Sequence, residues 1–203
     1  MKKTNIAVLV SGGGTNLQAL MDAEKAGIIK SGTIKLVVSN NKDAYALTRA
    51  KNNNIETRVV LRRDYETSRD FEAALMGVLK DAEIDMIVLA GFMSILSPEF
   101  ISEYRDRMIN VHPSLIPAFC GKGYYGIHVH EKALEYGVKV TGATVHFVNE
   151  IPDGGKIILQ KAVEVQEGDT PEILQRRVME QAEWIILPQA TEMVAADLAD
   201  AKN

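Results

Sequence analysis

The chain has 203 residues, 46% of them hydrophobic and 25% charged, a composition that excludes a disordered or fibrous protein. Its 23 Lys and Arg against 27 Asp and Glu give a net charge of −4, with no global basic surplus for broad nucleic-acid binding. No stretch approaches the roughly 20 apolar residues of a membrane span, and a single cysteine, Cys120, cannot close an internal disulfide, which fits a reducing cytoplasm. The start, MKKTNIAVLVSGGG, opens like a signal peptide, but its short apolar run meets glycines instead of a small-residue cleavage site.

Strand and helix patterns alternate through residues 1–100. Asn5–Val10 reads as a strand ending in SGGGTN, and Leu17–Ala26 has helical spacing. Thr33–Ser39 is a second strand, Ala44–Asn53 a helix, Thr57–Leu61 a third strand and Ser68–Lys80 an amphipathic helix. Ile84–Ala90 is apolar on both faces, as in a parallel strand covered by helices on either side. This order predicts right-handed crossovers and a doubly wound, mostly parallel α/β sheet. The second half changes style. Arg107–Val111 is a strand running into HPSLIP, residues 118–127 a loop rich in Gly and Tyr, and His130–Tyr136 a short helix. Ala143–Val148 and Lys156–Val165 alternate as strands, and the short NEIPDGG turn between them forces an antiparallel pair. Thr170 suits a helix N-cap and Pro171 its first turn, while Pro188 is expected to end or kink that helix. The expectation is one domain over 1–203, with a phosphate-binding half over about 1–100 and a catalytic half beyond it.

SGGGTNL joins the first strand to the first helix, where glycines bring backbone N–H groups close to an anion and the helix adds positive potential. A dinucleotide fingerprint is incomplete: Gly12 and Gly14 fit, but Leu17 holds the third position and the second strand ends in Ser39, Asn40 and Asn41 with no acid for a ribose. No Walker Gly-Lys-Ser/Thr follows. The loop therefore reads as a site for a phosphate monoester at Gly14, Thr15 and Asn16, or else as a tight turn that serves only helix–strand packing.

Asn110 and His112 end the fifth strand. Alternation puts them on one face about 7 Å apart, with Val111 toward the core. Asn offers an amide donor for an oxyanion and His a proton carrier near neutral pH. Asp153, in the IPDGG turn, is the carboxylate expected to hold His112 as imidazolium. With no nucleophile elbow around Ser114, the set suggests acyl transfer directly to an amine or to water; otherwise His112 is a strand-end histidine satisfied by backbone. His128, His130, Cys120 and His146 lack zinc-site spacing, so no metal is expected. Arg62, Arg63 and Arg69 form a small basic cluster, read for Arg62 and Arg63 as solvated surface. Met93, Ile95 and Leu96 are apolar in a region that should be loop: core, or the wall of a pocket for a flat ring.

Five segments in order, SGGGTNLQAL, VLAGFMSILSPEF, NVHPSLIPAF, TGATVHFV and PDGGKIILQ, resemble the phosphoribosylglycinamide formyltransferase family of purine synthesis over about residues 5–190. The resemblance implies formyl transfer from 10-formyltetrahydrofolate, a co-substrate, to the amine of 5-phosphoribosylglycinamide. It implies a phosphate loop at Gly14, Thr15 and Asn16, and Asn110, His112 and Asp153 as catalytic residues. It places the folate against Met93, Ser94, Ile95 and Leu96, with Asn110, the segment Asn149, Glu150 to Pro152, and Arg69 also bordering it. Glu183 is implied as a contact of the glycinamide substrate. Lys156, in place of a common proline, Thr141, in place of a histidine found in some members, and a longer loop AFCGKGYYGIHVH depart from the family. Methionyl-tRNA formyltransferases carry a C-terminal extension and formyltetrahydrofolate hydrolases an N-terminal domain, neither of which matches this length. The expectation is a cytoplasmic monomer or homodimer without nucleic-acid or membrane partners. Formyltetrahydrofolate hydrolysis, or a silent nucleotide-binding regulator on the same fold, are the rival readings.

Overall fold

The computed structural model describes residues 2–201. Seven strands form one sheet: β1 (Thr4–Val10), β2 (Gly32–Ser39), β3 (Glu56–Val59), β4 (Met86–Leu89), β5 (Met108–His112), β6 (Val140–Phe147) and β7 (Ile157–Glu164). Their spatial order is β3-β2-β1-β4-β5-β6-β7. The first five are parallel, whereas β6 and β7 add antiparallel, as the alternation and the short NEIPDGG turn predict.

The period-two alternation of β1 feeds two separate cores. Ile6, Val8 and Val10 pack on one face with Leu17, Leu20 and Met21 of α1 (Thr15–Lys25), Ala46 and Ala50 of α2 (Tyr45–Asn52), and the C-terminal helices. Ala7 and Leu9 pack on the other face with Phe71, Leu75 and Leu79 of α3 (Ser68–Asp81) and Phe100 and Ile101 of α4 (Pro98–Glu103). Helices on both faces explain why β4 is apolar throughout. Each fully buried Leu or Phe contributes about 1.5–3 kcal/mol to this double core.

Three elements differ from the sequence expectation. Residues 98–103 form a helix in a stretch to which the sequence patterns assign no element: Ser97 caps it by accepting the Phe100 N–H at 3.2 Å, and Pro98 fits its first turn. The helix predicted from His130 starts earlier, as α5 (Ile127–Tyr136). Pro188 does not end its helix. Thr170 caps α6 (Pro171–Val178) as expected, accepting from Ile173 N–H, but the irregularity falls upstream, in a π-helical turn over Met179–Glu183. Pro188 then lies inside α7 (Trp184–Asp200), where a Trp184 ψ of −9° marks the end of the π turn at the residue whose carbonyl the proline cannot pair. Among the described residues no helix is long and apolar enough to cross a membrane.

Strand order reverses between β1 and β4, and in such sheets ligands bind outside the carboxyl ends of strands beside that switch. Strands β1 and β5 are separated by β4, yet the loops after β1 and β4 are tied together: the Met93 N–H donates to Ser11 Oγ at 2.9 Å. The glycine loop and the end of β5 thus share one rim.

Candidate functional site

Antiparallel register sets the catalytic candidates against each other. Asn110 pairs with His146 and His112 with Thr144, so side chains of β5 and β6 meet on one face. Asn110 Nδ2 lies 3.3 Å from His146 Nε2. Asp153 arrives from the turn after β6, with φ 55° between Pro152 and Gly154, and places its carboxylate between two imidazoles. Its Oδ2 is 3.6 Å from His112 Nδ1 and its Oδ1 is 3.5 Å from His146 Nε2, and Oδ2 accepts the Gly121 N–H at 2.8 Å. Gly155 makes this turn possible, since a Cβ there would stand 1.7 Å from the Phe147 carbonyl oxygen. Lys156 is exposed and its carbonyl accepts the Phe147 N–H at 2.9 Å, so replacing proline leaves the turn intact.

Hydrogen-bond chemistry fixes the tautomers. His112 Nε2 is 2.8 Å from the Phe119 carbonyl, which can only accept, so Nε2 carries a proton and Nδ1 is the nitrogen that faces Asp153. His146 Nδ1 is likewise 2.8 Å from the Phe147 carbonyl, which leaves Nε2 to meet Asn110 and Asp153. His112 is 4% exposed, and burial pushes its pKa below 6.5 despite the opposing pull of Asp153 and of the Phe119 carbonyl. Desolvation thus outweighs the carboxylate that was expected to hold an imidazolium at His112. Burial also raises the Asp153 pKa, but the flanking His146 and His112 rings and the Gly121 N–H together overcome it and hold the carboxyl below its ordinary 3.8.

A cleft of about 190 Å³ opens onto this group. Asn110, His146 and Asp153 lie at its floor; Ser94, Ile95 and Leu96 form one wall and Asn149, Glu150 and Pro152 the other. The structure thus gathers most of the candidates for a flat ring. Two fall elsewhere. Met93 is exposed and does not line the cleft; its backbone N–H bonds Ser11 Oγ instead. Arg69 lines a different groove, between α3 and α4.

At the glycine loop, Gly14 takes the left-handed conformation (φ 74°, ψ 34°) and caps α1 without a side-chain hydrogen bond. A Cβ on Gly14 would stand 2.6 Å from Ala46 Cβ, so packing alone demands glycine here. The anion reading therefore rests on the helix N–H groups of Thr15 and Asn16, which no capping side chain takes. The π turn brings two side chains to them: Met179 Sδ lies 3.8 Å from Thr15 Oγ1, and Glu183 Oε2 accepts from Asn16 Nδ2 at 2.7 Å. Glu183 is buried, and burial raises its pKa against the opposing Asn16 bond, which favours a neutral carboxyl beside an anion. Asn16 Oδ1 is buried without a hydrogen-bond partner.

The remaining sequence candidates do other work. Ser114 Oγ donates to the Ala118 carbonyl at 2.6 Å, and Cys120 Sγ to that of Pro117 at 3.3 Å. Burial, then Asp153, raises the Cys120 pKa, so it is no thiolate. His128 pairs with Glu131 at 2.6 Å, and buried His130 is pushed down to about 4 by desolvation, then by His112. Among the described residues no three His, Cys, Asp or Glu side chains cluster as for a metal.

Residues 4–191 match the family described as formyl transferase. The chain belongs to the formyl transferase family. Formyl transfer is accordingly the class of enzyme chemistry the family shares. Within the family, the chain is 43% identical to the phosphoribosylglycinamide formyltransferase of Escherichia coli (strain K12), over 87% of this chain and 81% of that protein. It is 45% identical to the human trifunctional purine biosynthetic protein adenosine-3 over 96% of this chain, and there spans about a fifth of the relative's length, 19%. Among solved structures, glycinamide ribonucleotide transformylase 1 from Symbiobacterium toebii superposes with a TM-score of 0.90 at 40% identity, covering 96% of this chain and 89% of that one.

Sequence reasoning missed His146 as a member of the site. Its signal was available: in ATVHFV it shares parity with Thr144, so it faces the same side as the β5 pair once β6 lies antiparallel to β5.

Proposed function

We propose that the chain transfers a formyl group from 10-formyltetrahydrofolate to the amine of 5-phosphoribosylglycinamide. The observation that carries this reading is the Asp153 carboxylate set between His112 and His146, next to the Asn110 amide, at the floor of a partly apolar cleft. The uncapped start of α1 on the same rim supports a phosphate there, with Thr15 and Asn16 donating backbone N–H groups and Glu183 meeting the sugar or glycinamide. Ser94–Leu96 and Asn149–Pro152 clasp the folate ring. Holding both substrates this way turns a two-body encounter into a local one.

In the reaction the substrate amine bonds to the formyl carbon, and negative charge builds on the formyl oxygen. Asn110 Nδ2 donates to that oxygen once it leaves His146. His112 Nε2, which carries a proton, donates to it once the Phe119 carbonyl yields, so the loop over 118–127 shifts on binding, and the amine proton goes to the unprotonated Nδ1 beside Asp153. A neutral imidazole suits a base. On taking the proton at its free nitrogen it becomes an imidazolium between Asp153 and the oxyanion, and these two negative charges restore what burial removes. The bond from formyl carbon to folate nitrogen then breaks, and the proton passes from His112 to that nitrogen. Neither a covalent acyl-enzyme nor a thiolate is needed, in keeping with the engaged Ser114 hydroxyl and protonated Cys120 thiol.

Purified protein incubated with both substrates tests this. Release of deformylated tetrahydrofolate that requires the ribonucleotide and matches formylated product one to one is the expected result. Formate release at the same rate without ribonucleotide would identify a hydrolase instead, and no turnover of either kind a silent binding protein.

A further inference from the structure

The pairing that sets His112 of β5 opposite Thr144 of β6 continues one strand further, because Thr144 is in turn opposite Gln160 of β7. The three residues form a row across the sheet on one face. Thr144 is fully buried, and its hydroxyl is used to capacity. Oγ1 donates to the Ser114 carbonyl at 2.7 Å and accepts the Ile116 N–H at 3.1 Å and Gln160 Nε2 at 3.0 Å. Gln160 Nε2 gives its second N–H to the Ile116 carbonyl, also at 3.0 Å. A carbonyl only accepts, so the amide can face it one way round. Gln160 is exposed, lies on an edge strand and does not line the cleft, so packing does not demand an amide there.

The held segment leads straight into the groups that set the catalytic pair. Ser114 Oγ donates to the Ala118 carbonyl at 2.6 Å and the Ala118 N–H to the Leu115 carbonyl at 3.0 Å, closing residues 114–118 into a turn. The next residue, Phe119, supplies the carbonyl bonded to His112 Nε2, and Gly121 the N–H bonded to Asp153. Residues 119–121 belong to no helix or strand, so their aim depends on the turn before them. We infer that Gln160 is a positioning residue for formyl transfer: through Thr144 and the Ile116 backbone it anchors this turn, and so aims the Phe119 carbonyl at His112 and the Gly121 N–H at Asp153. The inference rests on the formyl-transfer reading above. That reading requires the Phe119 carbonyl to yield and return in each cycle, and a segment that returns to one place needs a fixed end. The bonds divide the loop accordingly. Residues 114 and 116 are tied to β6 and β7, whereas Phe119 and Gly121 are tied to the catalytic side chains themselves.

Steady-state kinetics and hydrogen exchange on variants of Gln160 test this. Gln160→Glu keeps the size, removes both donors and sets oxygen against the Ile116 carbonyl. Its kcat is expected to fall roughly tenfold, with the KM of both substrates within about threefold. Without substrates, exchange at the Gly121 N–H should quicken about fivefold or more, while the β6–β7 ladder stays as protected as in the native protein. Gln160→Ala should behave similarly. Gln160→Lys, which brings back donors of similar reach, should recover most of both losses. Lys161→Ala, on the opposite face of β7, should alter neither. Native kcat in Gln160→Glu overturns the proposal, as does native exchange at Gly121. A loss that lies wholly in KM also overturns it, by assigning Gln160 to substrate binding, and so does exchange that quickens along β6 and β7 in step with Gly121, which marks a loosened sheet edge. Absence of transfer by the unmodified protein is a different result: it removes the formyl-transfer reading, and the exchange comparison alone then decides on the anchor.

Discussion

Asp153→Asn should lower kcat by about 10²-fold or more and leave the KM of both substrates within about threefold. The substitution is chosen for its backbone. Asp153 sits at φ 55°, a conformation that asparagine tolerates better than other side chains, so the turn is expected to survive. Asparagine can also still accept the Gly121 N–H. What it removes is the charge between His112 and His146. Without that charge, nothing but the oxyanion offsets the burial of an imidazolium at His112, and proton uptake becomes costly at the moment the reaction needs it. A pH–rate profile reads this separately from any structural effect. In the native protein His112 titrates below 6.5 and its neutral form is the base, so activity is fully present above that pKa and lost as pH falls through it. Removing a neighbouring negative charge lowers the pKa further, so the acid limb in the variant should move to lower pH. Unchanged kcat with an unmoved acid limb would remove Asp153 from the chemistry.

His112→Ala should cost about 10² to 10⁴ in kcat, since both the donor to the oxyanion and the proton carrier are lost together. Alanine also leaves the Phe119 carbonyl without its partner in a buried site, a stability cost of about 1–3 kcal/mol that thermal unfolding will show. His112→Gln separates the two effects. Its amide can reach the Phe119 carbonyl or the formyl oxygen but cannot carry a proton. If His112 moves the proton, glutamine should restore stability and recover only a small part of kcat; if it serves mainly as a hydrogen-bond donor, glutamine should recover most of it. Near-native turnover in the alanine variant would exclude either role.

Local periodicity carried most of the fold. The strands of the first half are legible because helices cover both faces of β4 and its neighbours, which leaves uninterrupted apolar runs, and because each crossover helix shows its own apolar stripe. The short α4 went unread although Ser97-Pro98-Glu99 spells a cap, a first-turn proline and a first-turn acid, because six residues are too few for periodicity to register. Pro188 misled for a different reason: its missing N–H is accommodated by a π turn one turn upstream, which local sequence does not announce. The polar candidates Asn110, His112 and Asp153 were visible as residue types, but what their sequence positions cannot carry is the balance between charge and burial. Asp153 pulls the His112 pKa up, and only the enclosure formed by β6 and the loop over 118–127 shows that desolvation wins. His146 and the separation of Arg69 from the cleft likewise belong to register and helix placement, which connect residues far apart in the chain.

The central claim is that Asn110, His112 and Asp153 converge on one formyl group while the start of α1 holds the sugar phosphate. A crystal structure with 5-phosphoribosylglycinamide and a non-transferring formyl-folate analogue measures this directly. The account predicts Asn110 Nδ2 about 2.7–3.1 Å from the formyl oxygen, His112 Nε2 released from the Phe119 carbonyl, and phosphate oxygens on the Thr15 and Asn16 N–H groups. A formyl group lying outside the reach of all three side chains, with Asn110 still bonded to His146 and phosphate bound away from α1, would contradict it.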